Sequence, residues 1–140
     1  LYPLGREAPQ GWIVTGYPWE QIDAPAHTAF VEAYLARWDG EAPRLGSLLG
    51  YMVGQTIAAM LEEAGSTDTE AMIAALETIE VATPQGPLRF RAIDNQATMG
   101  AWVGRLELGD DDRGRMTDWR YLDGADYLLD EERVRAVRSD

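Results

Sequence analysis

The sequence predicts an α/β fold, and three observations carry the prediction. A β-branched apolar run follows Gly11, apolar residues then recur at the three-and-four spacing of helices from Pro25 to Ile79, and alternation at period two takes over from Leu88. Gly and Pro punctuate the changeovers, at Pro18, Gly40, Gly65, Pro84, Gly86 and Gly109. Across its 140 residues, 46% hydrophobic and 26% charged content is that of a globular chain, with no internal repeat, low-complexity tract or long linker.

Trp12-Ile13-Val14-Thr15, bounded by Gly11 and Gly16, reads as a buried strand ending at Tyr17-Pro18. Pro25 opens an amphipathic helix carrying Phe30, Val31, Tyr34, Leu35 and Trp38, and Gly40 suits its stop. A second helix is predicted from about Ser47, its N-cap, to Ala64, with Gly65 as the left-handed residue after it. Its apolar residues cover most of the circumference, so packing on several sides is expected. Thr67 and Glu70 read as the capping box of a third helix, with Met72, Ile73, Leu76 and Ile79 in one stripe, ending before Pro84.

The rest is strand chemistry. Leu88 and Phe90 alternate with Arg89 and Arg91, Asp94-Asn95 supplies a turn, and Met99 to Leu108 reads as a longer strand. Gly109 to Arg115 is a polar hairpin turn, Met116 to Leu122 a further strand with Trp119 and Tyr121 on one face, and Asp130 caps a short helix through Val137.

Charge and composition exclude several function classes. A net charge of −12 and a pI near 4.4 oppose nucleic-acid binding, which relies on clustered cations to release phosphate counterions; the twelve cations are all Arg and form no stripe. Zero Cys removes disulfides, thiol catalysis and thiolate metal sites. No apolar stretch reaches the roughly 18 residues that span a bilayer. The start at Leu1-Tyr2-Pro3, without an initiator Met or a signal segment, reads as the interior of a longer precursor.

Several segments share an order with one family. Gly11 to Trp19 is similar to a strand leading into a hinge crossing, with a Pro-started helix carrying Phe30 and Tyr34 after it. Gly50-Tyr51 stands near the start of the next helix, Ala64-Gly65-Ser66-Thr67-Asp68 resembles an Ala-Gly-Ser-x-Asp helix junction, Gly86-Pro87-Leu88-Arg89-Phe90 a Gly-x-x-x-Phe strand, and Gly100-Ala101-Trp102-Val103-Gly104 a closing strand. In this order they resemble the C-terminal part of the solute receptors of ABC importers, the branched-chain amino acid (Leu/Ile/Val) type of periplasmic binding protein.

The resemblance implies part of a two-lobed type I periplasmic binding protein fold, with helix-flanked, mainly parallel sheets joined by hinge strands. Residues 1–140 would be its C-terminal portion: 11–19 a hinge and second-lobe strand, 25–100 first-lobe helices and strand, 101–140 second-lobe strands and terminal helix. The implied function is capture of an amino acid or a small carboxylate, aromatic ones included, in an interlobe cleft, without catalysis or cofactor. The implied partners are the small-molecule ligand, the importer permease, and the remaining N-terminal part of the same protein or an exchanged copy that covers the second helix. The implied place is periplasmic or extracellular, lipid-anchored in a single-membrane bacterium. Alternatives are a ligand-sensing regulatory domain of the same fold and a structural interaction module using the second helix.

Tyr17, Pro18 and Trp19 are the favoured ligand contacts, because a strand end at a hinge here supplies aromatic faces with polar handles; the competing reading packs Trp19 against the hinge or first helix. Gly46 and Ser47 lie where the family places a residue touching the ligand side chain. They are small where branched-chain receptors tend to carry a large aromatic, which leaves room for a bulkier ligand; simple capping by Ser47 is the alternative. Asp110-Asp111-Asp112 lacks the alternation of a calcium loop and reads as a solvated turn. His27, the single histidine, has no Cys or second His nearby, so neither a zinc site nor a triad is built from it; an enzyme pairing it with Asp or Glu lacks a nucleophile elbow. Arg89 and Arg91 read as a solvated strand face, and Glu62-Glu63 and Glu131-Glu132 as solvated helix positions.

Overall fold

The β-branched run becomes a strand, β1 (Ile13–Gly16), paired antiparallel with β4 (Ala101–Leu108), which pairs on its other edge with β5 (Gly114–Leu122). This computed structural model describes residues 6–138, so the Leu1-Tyr2-Pro3 start lies outside the described residues. The expected burial of the first strand does not hold. It is the edge of a three-stranded sheet, so Val14 packs on the core while Trp12 and Ile13 are 65% and 70% exposed.

Helix α1 (Pro25–Arg37) starts with proline in its first turn, and Gly40, at φ +83°, bonds back to the Leu35 carbonyl just past its end. Helix α2 (Leu45–Ala64) ends as expected, with Gly65 at φ +55° donating to the Leu61 carbonyl at 3.0 Å. Its start differs. Arg44 is the N-cap, so Ser47 lies inside the first turn and its Oγ accepts the Arg44 N–H at 3.2 Å.

Helix α3 (Thr69–Leu76) is capped by Asp68 rather than Thr67. The Asp68 carboxylate accepts the Glu70 and Ala71 N–H groups, each at 3.1 Å, and a negative oxygen is the stronger acceptor at a positive helix end. The helix stops at Leu76, so Ile79 does not extend its stripe. It leads instead into a hairpin, β2 (Glu80–Thr83) and β3 (Gly86–Arg89), turned by Pro84-Gln85 and closed where Thr83 Oγ1 donates to the Gly86 carbonyl at 2.6 Å. Phe90 lies just beyond β3, in an isolated bridge to Ala97.

Helix α4 (Glu131–Arg138) is capped as expected, the Asp130 carboxylate accepting the Arg133 N–H at 2.8 Å. Arg91 is not solvated. It pairs with Asp94, whose carboxylate is 5% exposed, and donates to the Leu129 carbonyl at 2.6 Å, while Arg138 reaches the Ile93 carbonyl at 2.7 Å; together they strap the C-terminal segment to the 91–96 turn. The Arg91 hydrogen bond holds the Asp94 carboxyl below its usual range. Arg89 is exposed, as expected, and pairs with Glu80 across the hairpin.

The core joins both halves of the chain: Phe30 from α1, Leu48 and Met52 from α2, Val81 and Leu88 from the hairpin, Trp102 from β4 and Met116 from β5. The α/β class holds, yet every ladder among the described residues is antiparallel, so parallel sheets are not built by this portion itself. Helix α2 leaves Tyr51, Val53, Ile57 and Leu61 exposed instead of packing on several sides.

Candidate functional site

Where β1 ends, the chain turns against the sheet and locks. The Tyr17 ring lies 5.4 Å from that of Trp102, and its hydroxyl is 2.7 Å from His27 Nε2 on α1. Pro18 is buried and opens a single helical turn, Trp19–Gln21, closed by the Gln21 N–H on the Pro18 carbonyl at 2.8 Å. Gln21 then pins this turn to β5: its Nε2 donates to the Met116 carbonyl at 3.0 Å, and its Oε1 accepts the Trp119 indole N–H at 2.8 Å. Trp19 is half-buried.

Gly46 and Ser47 occupy the first turn of α2. A Cβ added at Gly46 would meet nothing within 4 Å, so that helix end is open. Besides accepting from Arg44, Ser47 Oγ donates to Tyr34 Oη at 3.1 Å. Tyr34 belongs to a row on α1 in which Phe30 stands 6.5 Å from His27 and 5.9 Å from Tyr34, ring to ring. The two candidate groups thus sit at opposite ends of one aromatic row. Seven residues of helix separate His27 from Tyr34, about 10 Å at 1.5 Å per residue. The structure links Tyr17 to Ser47 through α1 without bringing them into contact.

Both polar groups at the Tyr17 end are neutral at neutral pH. Burial lowers the His27 pKa, against a smaller opposing influence from its hydrogen bond to the Ile22 backbone, and burial pushes the Tyr17 phenol upward. His27 is 1% exposed and bonded, a structural histidine. Sequence reasoning missed its pairing with Tyr17. The available signal was weak: the single histidine in the first turn of a helix, ten residues after a strand-end tyrosine.

Other polar clusters do not build a site. Asp111 pairs with Arg113 and Arg115 at 3.7 and 3.4 Å, and Asp112 with Arg6 at 2.8 Å, all on exposed side chains. Among the described residues no group of three or more His, Cys, Asp or Glu is placed to hold a metal ion. An open concavity of about 470 Å³ is lined by Ala59, Glu62, Glu63, Thr78, Ile79 and Glu80, and a second of about 240 Å³ lies beside α4; neither is lined by Tyr17, Pro18, Trp19, Gly46 or Ser47.

Comparison with known proteins gives the arrangement a context. The sequence model of a family described as periplasmic binding protein matches residues 1–114. No curated protein matches the chain. Among solved structures, an ABC-type branched-chain amino acid transporter from Rhodopseudomonas palustris is similar with a TM-score of 0.73 and 23% identity, over 89% of this chain and 33% of that one. A leucine-, isoleucine-, valine-, threonine- and alanine-binding protein from Brucella ovis, in a closed conformation, gives 0.71 and 21%, over 91% and 35%. A solute-binding protein of an ABC transporter from Rhodopseudomonas palustris HaA2, in complex with p-hydroxybenzoic acid, gives 0.66 and 21%, over 88% and 34%. The chain therefore spans about a third of the length of the solved chains it resembles.

Proposed function

Because this chain belongs to the periplasmic binding protein family, we propose that it is the C-terminal portion of an extracytoplasmic solute receptor of an ABC importer, which captures an amino acid or small aromatic carboxylate between two lobes. Residues 11–19 form a hinge crossing and second-lobe strand, 25–100 belong to the first lobe, and 101–140 return to the second. Closure around the solute shifts the receptor from open to closed, and the permease reads the closed state. No covalent step is involved.

The observation that carries this reading is the family match across 114 residues joined to an aromatic strand end, Tyr17-Pro18-Trp19, which follows β1 and packs through Tyr17 on Trp102 of its antiparallel neighbour β4. Trp19 and the Tyr17 ring supply apolar faces for a solute body. Gly46 leaves space, and the positive N-terminal end of α2 favours a carboxylate. A related fold that holds p-hydroxybenzoic acid supports widening the class beyond aliphatic amino acids.

The remaining part of the same protein covers the exposed row on α2. Val53, Ile57 and Leu61, spaced i, i+4, i+8 along one side of the helix, are 58%, 47% and 37% exposed, an apolar row of the kind monomers seldom leave open. The test is a thermal-shift screen on the full-length protein with amino acids, amides and small aromatic carboxylates. A ligand at one hundred times its Kd stabilises by about 2.7 kcal/mol. Stabilisation within one class identifies the solute; silence across all three sets overturns the proposed solute class.

A further inference from the structure

Between the hairpin and β4 the backbone is gripped from both sides. Gly100 accepts the Gln85 side-chain amide, from the turn between β2 and β3, on its carbonyl at 3.0 Å, and its N–H donates to Tyr121 Oη of β5 at 2.9 Å. Just before it, the Thr98 N–H donates to the Arg89 carbonyl at 2.9 Å and the Arg89 N–H returns to Thr98 Oγ1 at 3.1 Å. The chain runs out along β4 and back along β5, and residues 123–138 then return to the same place. Gly124 lies flat on it: a Cβ there would run into the Met99 carbonyl and stand 2.8 Å from the Thr98 carbonyl oxygen, so only glycine fits. Farther on, Arg91 reaches the Leu129 carbonyl at 2.6 Å, and Arg138 reaches back to the Ile93 and Asp94 carbonyls at 2.7 and 3.3 Å.

This returning segment is held without deep packing. Val134 is buried, but Leu129 and Val137 stay 52% and 69% exposed beside an open concavity of about 240 Å³. Exposed hydrogen bonds around the Val134 anchor hold it in place. We propose, on the lobe assignment of the receptor reading, that residues 123–138 are a strap across the last crossing: they tie the second-lobe end of β5 to the first-lobe stretch 91–99 and bias the receptor toward the arrangement in which these bonds form. A contact made in one arrangement and lost in the other shifts the balance between them by its own free energy. The bonds at Gly100 sit on the crossing itself and survive a small rotation of the lobes. Those at the 91–96 turn lie off it and break first.

The experiment uses the full-length protein without solute. These 140 residues contain no Cys, so spin labels enter through Ala74→Cys on α3 and Glu107→Cys on β4, both exposed, in a background freed of other cysteines. Pulsed dipolar spectroscopy reads the distance distribution between the lobes with the strap intact, in Arg138→Ala, in Gly124→Ala and in Arg89→Ala. Arg138→Ala is expected to raise the population outside the intact-strap peak about fivefold relative to that within it, the scale of one net hydrogen bond. Gly124→Ala, which lifts the segment off Met99, moves the same way. Arg89→Ala, whose lost ion pair with Glu80 lies inside the first lobe, leaves the peak unchanged. An Arg138→Ala distribution that superimposes on that of the intact strap overturns the proposal, and so does equal broadening in Arg89→Ala. The thermal-shift screen decides the solute reading separately: silence there removes the solute class, while the distances still decide the strap.

Discussion

An alanine at Gly104 should destabilise the protein more than an alanine at Gly16, although both glycines face the same methionine. Gly104 sits at the centre of the three-stranded sheet, opposite Val14 of β1 on one side and a register shift in β5 on the other. The shift places Asp118 at φ +47°, a left-handed conformation uncommon outside glycine. A Cβ at Gly104 would stand 2.7 Å from Met116 Cγ, 2.7 Å from the Thr117 carbonyl oxygen and 2.8 Å from Trp119 Cβ. Real Cβ contacts are essentially never below 3.0 Å, and the carbonyl belongs to the backbone of the neighbouring strand, so β4 and β5 must part. At Gly16 the close atom is Met116 Cε, at 2.6 Å, the end of a flexible side chain that can swing away. Forced overpacking costs about 1–3 kcal/mol, and Gly104→Ala belongs in that range with Gly16→Ala below it. Urea unfolding of the full-length variants, compared at constant m-value, reads the difference. Equal midpoints, or a larger loss at Gly16, would refute the reasoning.

Three further outcomes are expected. Asp68→Ala removes the cap of α3 and lowers stability by about 1 kcal/mol in urea unfolding, whereas Thr67→Ala leaves it nearly unchanged. Because burial lowers the His27 pKa below its usual 6.5, the unfolded chain takes up the proton first on acidification. This contribution is full above about pH 6.5, falls as pH drops toward the lowered pKa and levels off beneath it; in His27→Gln that segment of the stability profile flattens. Arg91→Ala releases the C-terminal strap, so amide exchange quickens over residues 129–138 and the Asp94 carboxyl, freed of its main hydrogen bond, titrates at higher pH by carboxyl carbon resonances.

The elements with strong local signals were legible in the sequence. Pro25, Gly65 and Asp130 set their helix ends as expected, because each acts through its own backbone or cap. What failed depended on competition or on distant neighbours. Thr67 lost the cap to Asp68, one residue on, because a carboxylate outcompetes a hydroxyl. Ser47 lost its N-cap position to Arg44, a residue whose side chain gives no capping signal. The hairpin at Pro84-Gln85 was present in the alternation of Val81 and Thr83, but the apolar stripe of α3 masked it by including Ile79. The outward face of β1 was not legible, since an edge strand and a central one share the same β-branched composition. For the candidate site, the strand-end position of Tyr17 to Trp19 was legible, while the partners of Tyr17 and Ser47 were not: His27 and Tyr34 meet them only after α1 folds across.

A calorimetric titration of the full-length protein with the strongest stabiliser from the screen tests the central claim most directly, run beside Gly46→Trp, which fills the open space at the start of α2. The account predicts saturation at one solute per full-length chain and sharply weaker binding in Gly46→Trp with the fold intact. Binding that Gly46→Trp leaves unchanged, or no heat at all from a protein that the screen showed to be stabilised, would contradict it.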